Sequence, residues 1–276
     1  MTLPSYLHRL QSRDGASIAI SAHGGHLCSW RAADGTERLF MSEDTRWDQR
    51  SALRGGVPII FPQFADFGAL PKHGFARVLP WTLCSSECAT DGSGVVRMTL
   101  ADSAATAAFA GQFLLELTVQ FCGQSLQLRL RIENTGSIVF DFSAALHTYL
   151  RTDVAHSAIN GLQRQSYRDS ADGGRVKTGA DTCLAIDCEI DRIYCDLPTP
   201  VALVAPQQCL EVNQQGFTDV VVWNPWRAKA AALTDLADYE YREFVCIEAA
   251  LVGHPATLGP GQCWTGIQHL QQLPPM

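Results

Sequence analysis

The chain has 276 residues, 46% of them hydrophobic and only 18% charged, with 21 Lys+Arg against 28 Asp+Glu and a net charge of −7. Length alone suggests about two domains at roughly 150 residues each, yet all-β units of about 200–250 residues commonly form one. The low charge content excludes a charge-rich disordered chain, and the acidic balance excludes a global attraction to nucleic acid or an anionic membrane.

Ser17–Ser21 reads as the first strand. His23 and His26 bracket two glycines, a turn into a strand at Leu27–Trp30. Asp48–Leu79 is the longest irregular stretch, and long ordered loops in compact domains are often functional. Val95–Leu100 resumes the strand pattern, and alanine-rich Ala104–Phe109 reads as one helical turn. Phe113–Phe121 and Leu126–Ile132 flank Cys122-Gly123-Gln124-Ser125 and predict a hairpin. Strict alternation in LQLRLRI marks a half-buried strand. Phe140–Leu150, Leu184–Ile190, Val201–Val204, Val220–Trp223, Phe244–Ala250 and Cys263–Leu270 continue the pattern, with Ala228–Leu236 a second helix candidate. No Pro/Ser-rich linker or internal repeat interrupts it. The expectation is one all-β domain over residues 1–276, a large sandwich or barrel.

Ten cysteines in a chain that can bury its own core do not predict a disulfide scaffold. Cys84/Cys88 and Cys183/Cys188 lack C-x₂-C spacing, so no zinc site is expected. The segment MTLPSYLHRLQSRDGAS has no apolar core of signal-peptide type, and no stretch approaches about 20 apolar residues. A cytoplasmic protein with reduced thiols is expected. Phosphate-loop and nucleophile-elbow motifs are absent.

Five segments carry chemistry. Leu53–Arg77 places Arg54, Lys72, His73 and Arg77 in a loop otherwise rich in apolar residues, Gly and Pro. Two readings stand: Arg54 and Arg77 close on an anion as paired guanidinium forks, or each ties a loop carbonyl or a carboxylate. In Ala144–Leu150 a lone imidazole, His147, interrupts an apolar strand, and in Val245–Ala250 a lone carboxylate, Glu248, does the same. Such groups need partners or a function. In DCEIDRIYCD, Asp191 and Arg192 point to opposite faces if the strand is regular. Asp191 is either an acceptor for sugar hydroxyls or an ion-pair residue. Trp223 and Trp226 offer a ring for sugar stacking or for the core.

In order, RGGVPIIFPQF…LPKHGFAR, ALHTYL, DRIY, VVWNPW, VCIEAA and WTGIQ resemble the hexose-6-phosphate mutarotases, also called glucose-6-phosphate 1-epimerases, relatives of the aldose 1-epimerases. The resemblance runs from about Gly25–Trp30 to Gln268. It implies a large antiparallel β-supersandwich like that of galactose mutarotase. It implies cofactor-independent interconversion of the α and β anomers of a hexose 6-phosphate, with that sugar phosphate as the partner. A monomer rather than an obligate oligomer is expected. Catalytic roles fall on His147 and Glu248, and substrate binding on Arg54, His73, Arg77 and Asp191. Lys72 stands where some relatives carry a substrate-contacting glutamine and is a further candidate contact. The loop between Phe61 and Leu70 is short beside some relatives. Glu248 is expected to be the base, with a pKa between that of free glutamate and the working pH. His147 is expected to be the acid, with a pKa not driven far down. The alternatives are an aldose 1-epimerase for unphosphorylated sugars and a non-catalytic carbohydrate-binding protein on the same fold.

Overall fold

A computed structural model describes residues 3–197, 200–206 and 208–274. The strands form a three-stranded, an eight-stranded and a nine-stranded sheet, and every strand pair within them is antiparallel. The expected antiparallel β-sandwich is what the chain forms.

The hairpin lies at the heart of the nine-stranded sheet. Phe113–Cys122 pairs with Ser125–Asn134 in register Phe121↔Leu126. Its buried residues follow the period of two: Phe113, Leu115, Leu117, Val119 and Phe121 on one strand, Leu126, Leu128, Leu130 and Ile132 on the other. The eight-stranded sheet behaves differently. Asp219–Asn224 is buried at every position, as is Phe244–Leu251 within the longer strand Phe244–Leu258. Val220, Val222, Val245, Ile247 and Ala249 join the hairpin residues in one apolar cluster between the large sheets. The alternate residues cover the other face in two separate clusters. One holds Ile60, Phe64, Ala145, Ile193, Val221 and Ala250; the other holds Phe40, Tyr149, Trp223, Phe244 and Cys246. Burial on both faces explains why these strands read as continuous apolar runs.

Several boundaries differ from expectation. Phe140–Leu150 is two strands, Phe140–Leu146 and Tyr149–Arg151, separated at His147 and Thr148. Leu184–Ile190 splits into Leu184–Ala185, in the nine-stranded sheet, and Ile190–Tyr194, in the eight-stranded one. The chain changes sheets across Ile186–Glu189, of which Ile186 is buried in the core. Ala104–Phe109 holds only a 3-10 turn, Ala104–Thr106, capped by Ser103. The second helix is Trp226–Ala230 rather than Ala228–Leu236. One turn of helix has little cooperative stability. Beyond it the chain bends so that Leu233 and Leu236 pack on the cluster around Tyr149.

Asp48–Leu79 is less irregular than its sequence. Ile59–Ile60 adds to the eight-stranded sheet beside Leu146 and Ala145. Carbonyls of the same loop serve the broken strand: His147 N donates to Pro58 O (3.0 Å) and Tyr149 N to Gly56 O (2.9 Å). Gly56 has φ +57, and a Cβ there would collide with the Leu27 carbonyl oxygen. Among the described residues no helix is long and apolar enough to cross a membrane, and no group of three or more His, Cys, Asp or Glu is arranged to hold a metal ion. All ten cysteines are free thiols.

Candidate active site

The register of the eight-stranded sheet builds the floor of a cleft. Ala249 pairs with Leu146, and Val221 pairs with Glu248. His147 and Glu248 therefore fall next to each other on the face away from the central core. His147 Nε2 lies 3.3 Å from Glu248 Oε1, with both side chains almost wholly buried. The remaining polar atoms, His147 Nδ1 and Glu248 Oε2, are buried without a hydrogen-bond partner. The imidazole stacks on Tyr149 (4.9 Å between centroids, 15°) and meets the edges of Trp223 and His73. Aromatic packing on three sides fixes the ring without satisfying it.

The cleft, of about 460 Å³, is lined by all the residues nominated from the sequence: Arg54, Lys72, His73, Arg77, His147, Asp191 and Glu248. A cavity of about 500 Å³ elsewhere, lined by Arg9, Arg31, Arg151 and Glu37, has no histidine–carboxylate pair. The chemistry singles out the smaller space.

The wall comes from the loop before Leu79. His73 has φ +64 and is followed by Gly74 at φ +67. A side chain in that left-handed region costs energy. It is held there by paired bonds, His73 N to Ala65 O (3.0 Å) and Ala65 N to His73 Nδ1 (3.2 Å). With Nδ1 accepting, Nε2 carries the hydrogen. Burial, then Arg77, holds the ring neutral, well below the ordinary histidine range. His73 is thus a fixed neutral donor.

The two arginines are not equivalent, and neither stands as an open fork. Arg54 donates from Nε and Nη2 to the two oxygens of Asp235 (3.2 Å each) and from Nη1 to Tyr149 Oη (3.0 Å). Burial would lower its pKa, but Tyr149 and Asp235 outweigh that and raise it. Arg77 has no such carboxylate. Its Nη2 donates to the Lys72 carbonyl (2.8 Å) and its Nε is buried without a partner. Burial, reinforced by Arg54, lowers its pKa. The ion-pair and loop-tie readings of these arginines both describe the free pocket.

Asp191 lines the cleft, while Arg192 stacks on Tyr167 (4.4 Å) on the opposite face, as a regular strand requires. Asp191 Oδ2 is 3.5 Å from Lys229 Nζ, which also donates to Glu189 (2.8 Å). Burial raises the Asp191 pKa against the opposing pull of Lys229. Trp223 lines the cleft, whereas Trp226 packs on Tyr241. His23 and His26 bond backbone carbonyls of Ser51 and Gly55.

The electrostatics of the floor depart from expectation. Burial, then Arg77 and Arg54, drives His147 down from 6.5 to about 3. Burial, then Asp191, raises Glu248 well above the ordinary glutamate value, with Arg77 opposing. The empty cleft therefore favours a neutral imidazole beside a protonated carboxyl, because a low-dielectric site disfavours both charged forms.

Sequence reasoning missed Tyr149, Lys229 and Asp235 as parts of the site. Tyr149 had a signal, standing two residues from His147. Lys229 lies in the short helix and Asp235 on the bend after it, both far along the chain from the groups they pair, and nothing local marks them.

Comparison with known proteins agrees with the fold. The family model described as aldose 1-epimerase matches residues 6–271. A Cenchrus ciliaris protein named "Putative glucose-6-phosphate 1-epimerase" is 30% identical, covering 98% of this chain and 86% of its own. An Escherichia coli protein of the same name is 32% identical, covering 85% of this chain and 79% of its own. The crystal structure of a Salmonella typhimurium "putative mutarotase (YeaD)" superimposes with a TM-score of 0.86 at 26% identity, covering 99% of this chain and 95% of that one. These findings, with the match over nearly the whole length, assign the chain to the aldose 1-epimerase family: it is an isomerase of the epimerase/mutarotase type.

Proposed function

We propose that the chain interconverts the α and β anomers of a hexose 6-phosphate, glucose 6-phosphate being the first candidate. One observation carries the reading. A histidine and a glutamate 3.3 Å apart lie on the floor of a cleft whose wall carries Arg54, Lys72 and Arg77. Mutarotation needs one group to take the O1 proton and another to protonate the ring oxygen. The two oxygens share one carbon, so the two groups must be close neighbours.

In the forward step Glu248 removes the O1 proton, the O1 electrons form the carbonyl, and the C1–O5 bond breaks. Its electron pair stays on O5, which takes a proton from His147. Rotation about C1–C2 presents the other carbonyl face. The reverse transfers then close the ring and return both protons. The working pair, carboxylate and imidazolium, holds the same number of protons as the neutral resting pair; one proton has crossed the contact. A phosphate dianion near Arg77 offsets the cationic field that disfavours imidazolium, so binding raises the His147 pKa. His73 donates from Nε2 to a ring-edge oxygen, and Asp191 accepts from hydroxyls. Arg77, Lys72 and the two guanidinium hydrogens of Arg54 left free by Asp235 and Tyr149 hold the phosphate. That binding energy, remote from C1, positions the reacting end.

One observation favours a rival, an epimerase for unphosphorylated sugars: Asp235 already occupies the side of Arg54 that would grip an anion best. The test is the variant Arg54→Ala/Arg77→Ala. The phosphosugar reading expects KM for glucose 6-phosphate to rise far more than KM for glucose. Equal effects favour the rival.

A further inference from the structure

The strand Cys263–Leu273 turns Gly266, Gln268 and Leu270 toward the interior between the two large sheets. Gln268 is fully buried there, and a primary amide among apolar side chains is costly unless both its ends are bonded. Both ends are bonded, and to the opposite sheet. Gln268 Oε1 accepts from Thr148 Oγ1 (2.5 Å), and Gln268 Nε2 donates to the Ile247 carbonyl (3.1 Å). Thr148 follows His147 and Ile247 precedes Glu248.

The place matters because the sheet cannot hold His147 by itself. The strand breaks at His147 and Thr148; beyond loop carbonyls, the link to the neighbouring strand there is the bond from Ile247 N to Thr148 O (3.1 Å). The Gln268 amide closes a second link between the same two residues, from behind the floor of the cleft.

We propose that Gln268 is a positioning residue for the reaction: it fixes the backbone at Thr148 and Ile247 from the opposite sheet and so sets the spacing between His147 and Glu248. The inference rests on the anomer-interconversion reading above. Gln268 touches no substrate and lies on the far side of the floor. Its effect reaches the chemistry through geometry, where a displacement of about 1 Å can cost about a hundredfold in rate.

The test removes the bridge while keeping the shape of the core. Thr148→Val deletes the hydroxyl, and Thr148→Val/Gln268→Met makes both side chains apolar, so that neither is left with an unpaired polar atom and only the Ile247 carbonyl loses its bond from Nε2. Anomer exchange of α-glucose 6-phosphate is followed against pH, with thermal unfolding in parallel. Both variants are expected to fold, to keep KM within about twofold, and to lose about tenfold or more in kcat with a shifted pH profile. Thr148→Ser, which restores the hydroxyl, is expected to recover most of the loss. Wild-type kcat and pH profile in the folded variants would overturn the assignment. So would unfolding of both, since the bridge would then hold the core together rather than space the pair. Wild-type protein, His147→Asn and Glu248→Gln are run alongside. If wild type is inert, or the two variants stay active, the anomer-interconversion reading fails and takes this inference with it. If those controls behave and Thr148→Val matches wild type, only the role of Gln268 falls.

Discussion

The floor and the wall of the cleft are built by opposite means. The floor is mostly strand: Asp191, Val221, Trp223 and Glu248 stand on neighbouring strands of one sheet, where register places them, and His147 sits at the strand break beside Glu248. The wall is loop, held by side-chain bonds such as Ala65 N to His73, Arg77 to the Lys72 carbonyl, and Arg54 to Asp235. Charge divides the same way. The floor is driven toward neutrality by burial, while the wall carries cations held by a carboxylate or a backbone carbonyl. On the proposed function the difference is a division of labour: the sheet would fix the proton chemistry, and the loop would select what is presented to it.

The sharpest way to break that division is to change the floor without touching the wall. Glu248→Gln is expected to lower kcat by about a hundredfold to ten-thousandfold while KM for glucose 6-phosphate stays close to wild type. Anomer exchange kinetics at saturating substrate check it. A large rise in KM with kcat unchanged would place Glu248 in binding rather than proton transfer.

Changing the wall should do the reverse. Arg77→Ala removes the cation without a carboxylate partner and is expected to raise KM for the phosphosugar by about tenfold to a hundredfold, the range for charge-assisted hydrogen bonds. Arg54→Ala is expected to do less, since Asp235 already offsets much of its charge. The reversed order of the two effects would show that the phosphate displaces Asp235.

A backbone change in the wall sharpens the comparison from the side of stability. A Cβ at Gly74 would collide with the Phe61 carbonyl oxygen, at a φ of +67 that side chains avoid. Gly74→Ala is expected to cost about 1–3 kcal/mol in chemical denaturation and to raise KM more than it lowers kcat, because it displaces His73 and leaves the sheet intact.

The smallest effect is a stability slope with pH. The folded state holds the Glu248 proton far above the ordinary value of 4.5. From about that pH upward the native state binds more protons than the unfolded one, and stability falls as pH rises. Glu248→Gln lacks the group, so its Tm should gain on wild type as pH rises above about 4.5. His26 and His147 act in the opposite direction. Each is lowered from 6.5 to about 3 by burial, so stability falls as pH drops from 6.5 toward 3. A Tm difference between Glu248→Gln and wild type that does not change with pH would mean that Glu248 is ionised in the free pocket.

The proposed reacting pair stood out in the sequence because each member is a polar residue in a largely apolar run. The proposed binding residues of the wall stood out because four cationic or imidazole side chains crowd one Gly/Pro-rich loop. The pairings were not. Asp235 meets Arg54, and Gln268 meets Thr148, across separations that no local pattern encodes. The fold class was legible for a related reason: strands buried on one face alternate, and strands buried on both read as apolar runs. Thr82–Cys88, Ser166–Asp169 and Arg175–Thr178 escaped notice. Thr82–Cys88 and Arg175–Thr178 are edge strands with mostly exposed side chains, and Ser166–Asp169 is exposed at every second position, leaving too few apolar residues to show a period. Phe140–Leu150 was read as unbroken because apolar residues resume after His147 and Thr148, whereas its backbone at the break bonds the loop carbonyls of Gly56 and Pro58.

The most direct test of the central claim is anomer exchange by one-dimensional saturation-transfer NMR, with α-glucose 6-phosphate and α-glucose each given catalytic amounts of the protein under identical conditions. The account predicts strong acceleration for the phosphosugar and much weaker acceleration for glucose. Equal acceleration of both sugars would contradict the role of the cationic wall, and acceleration of neither would contradict the chemistry assigned to His147 and Glu248.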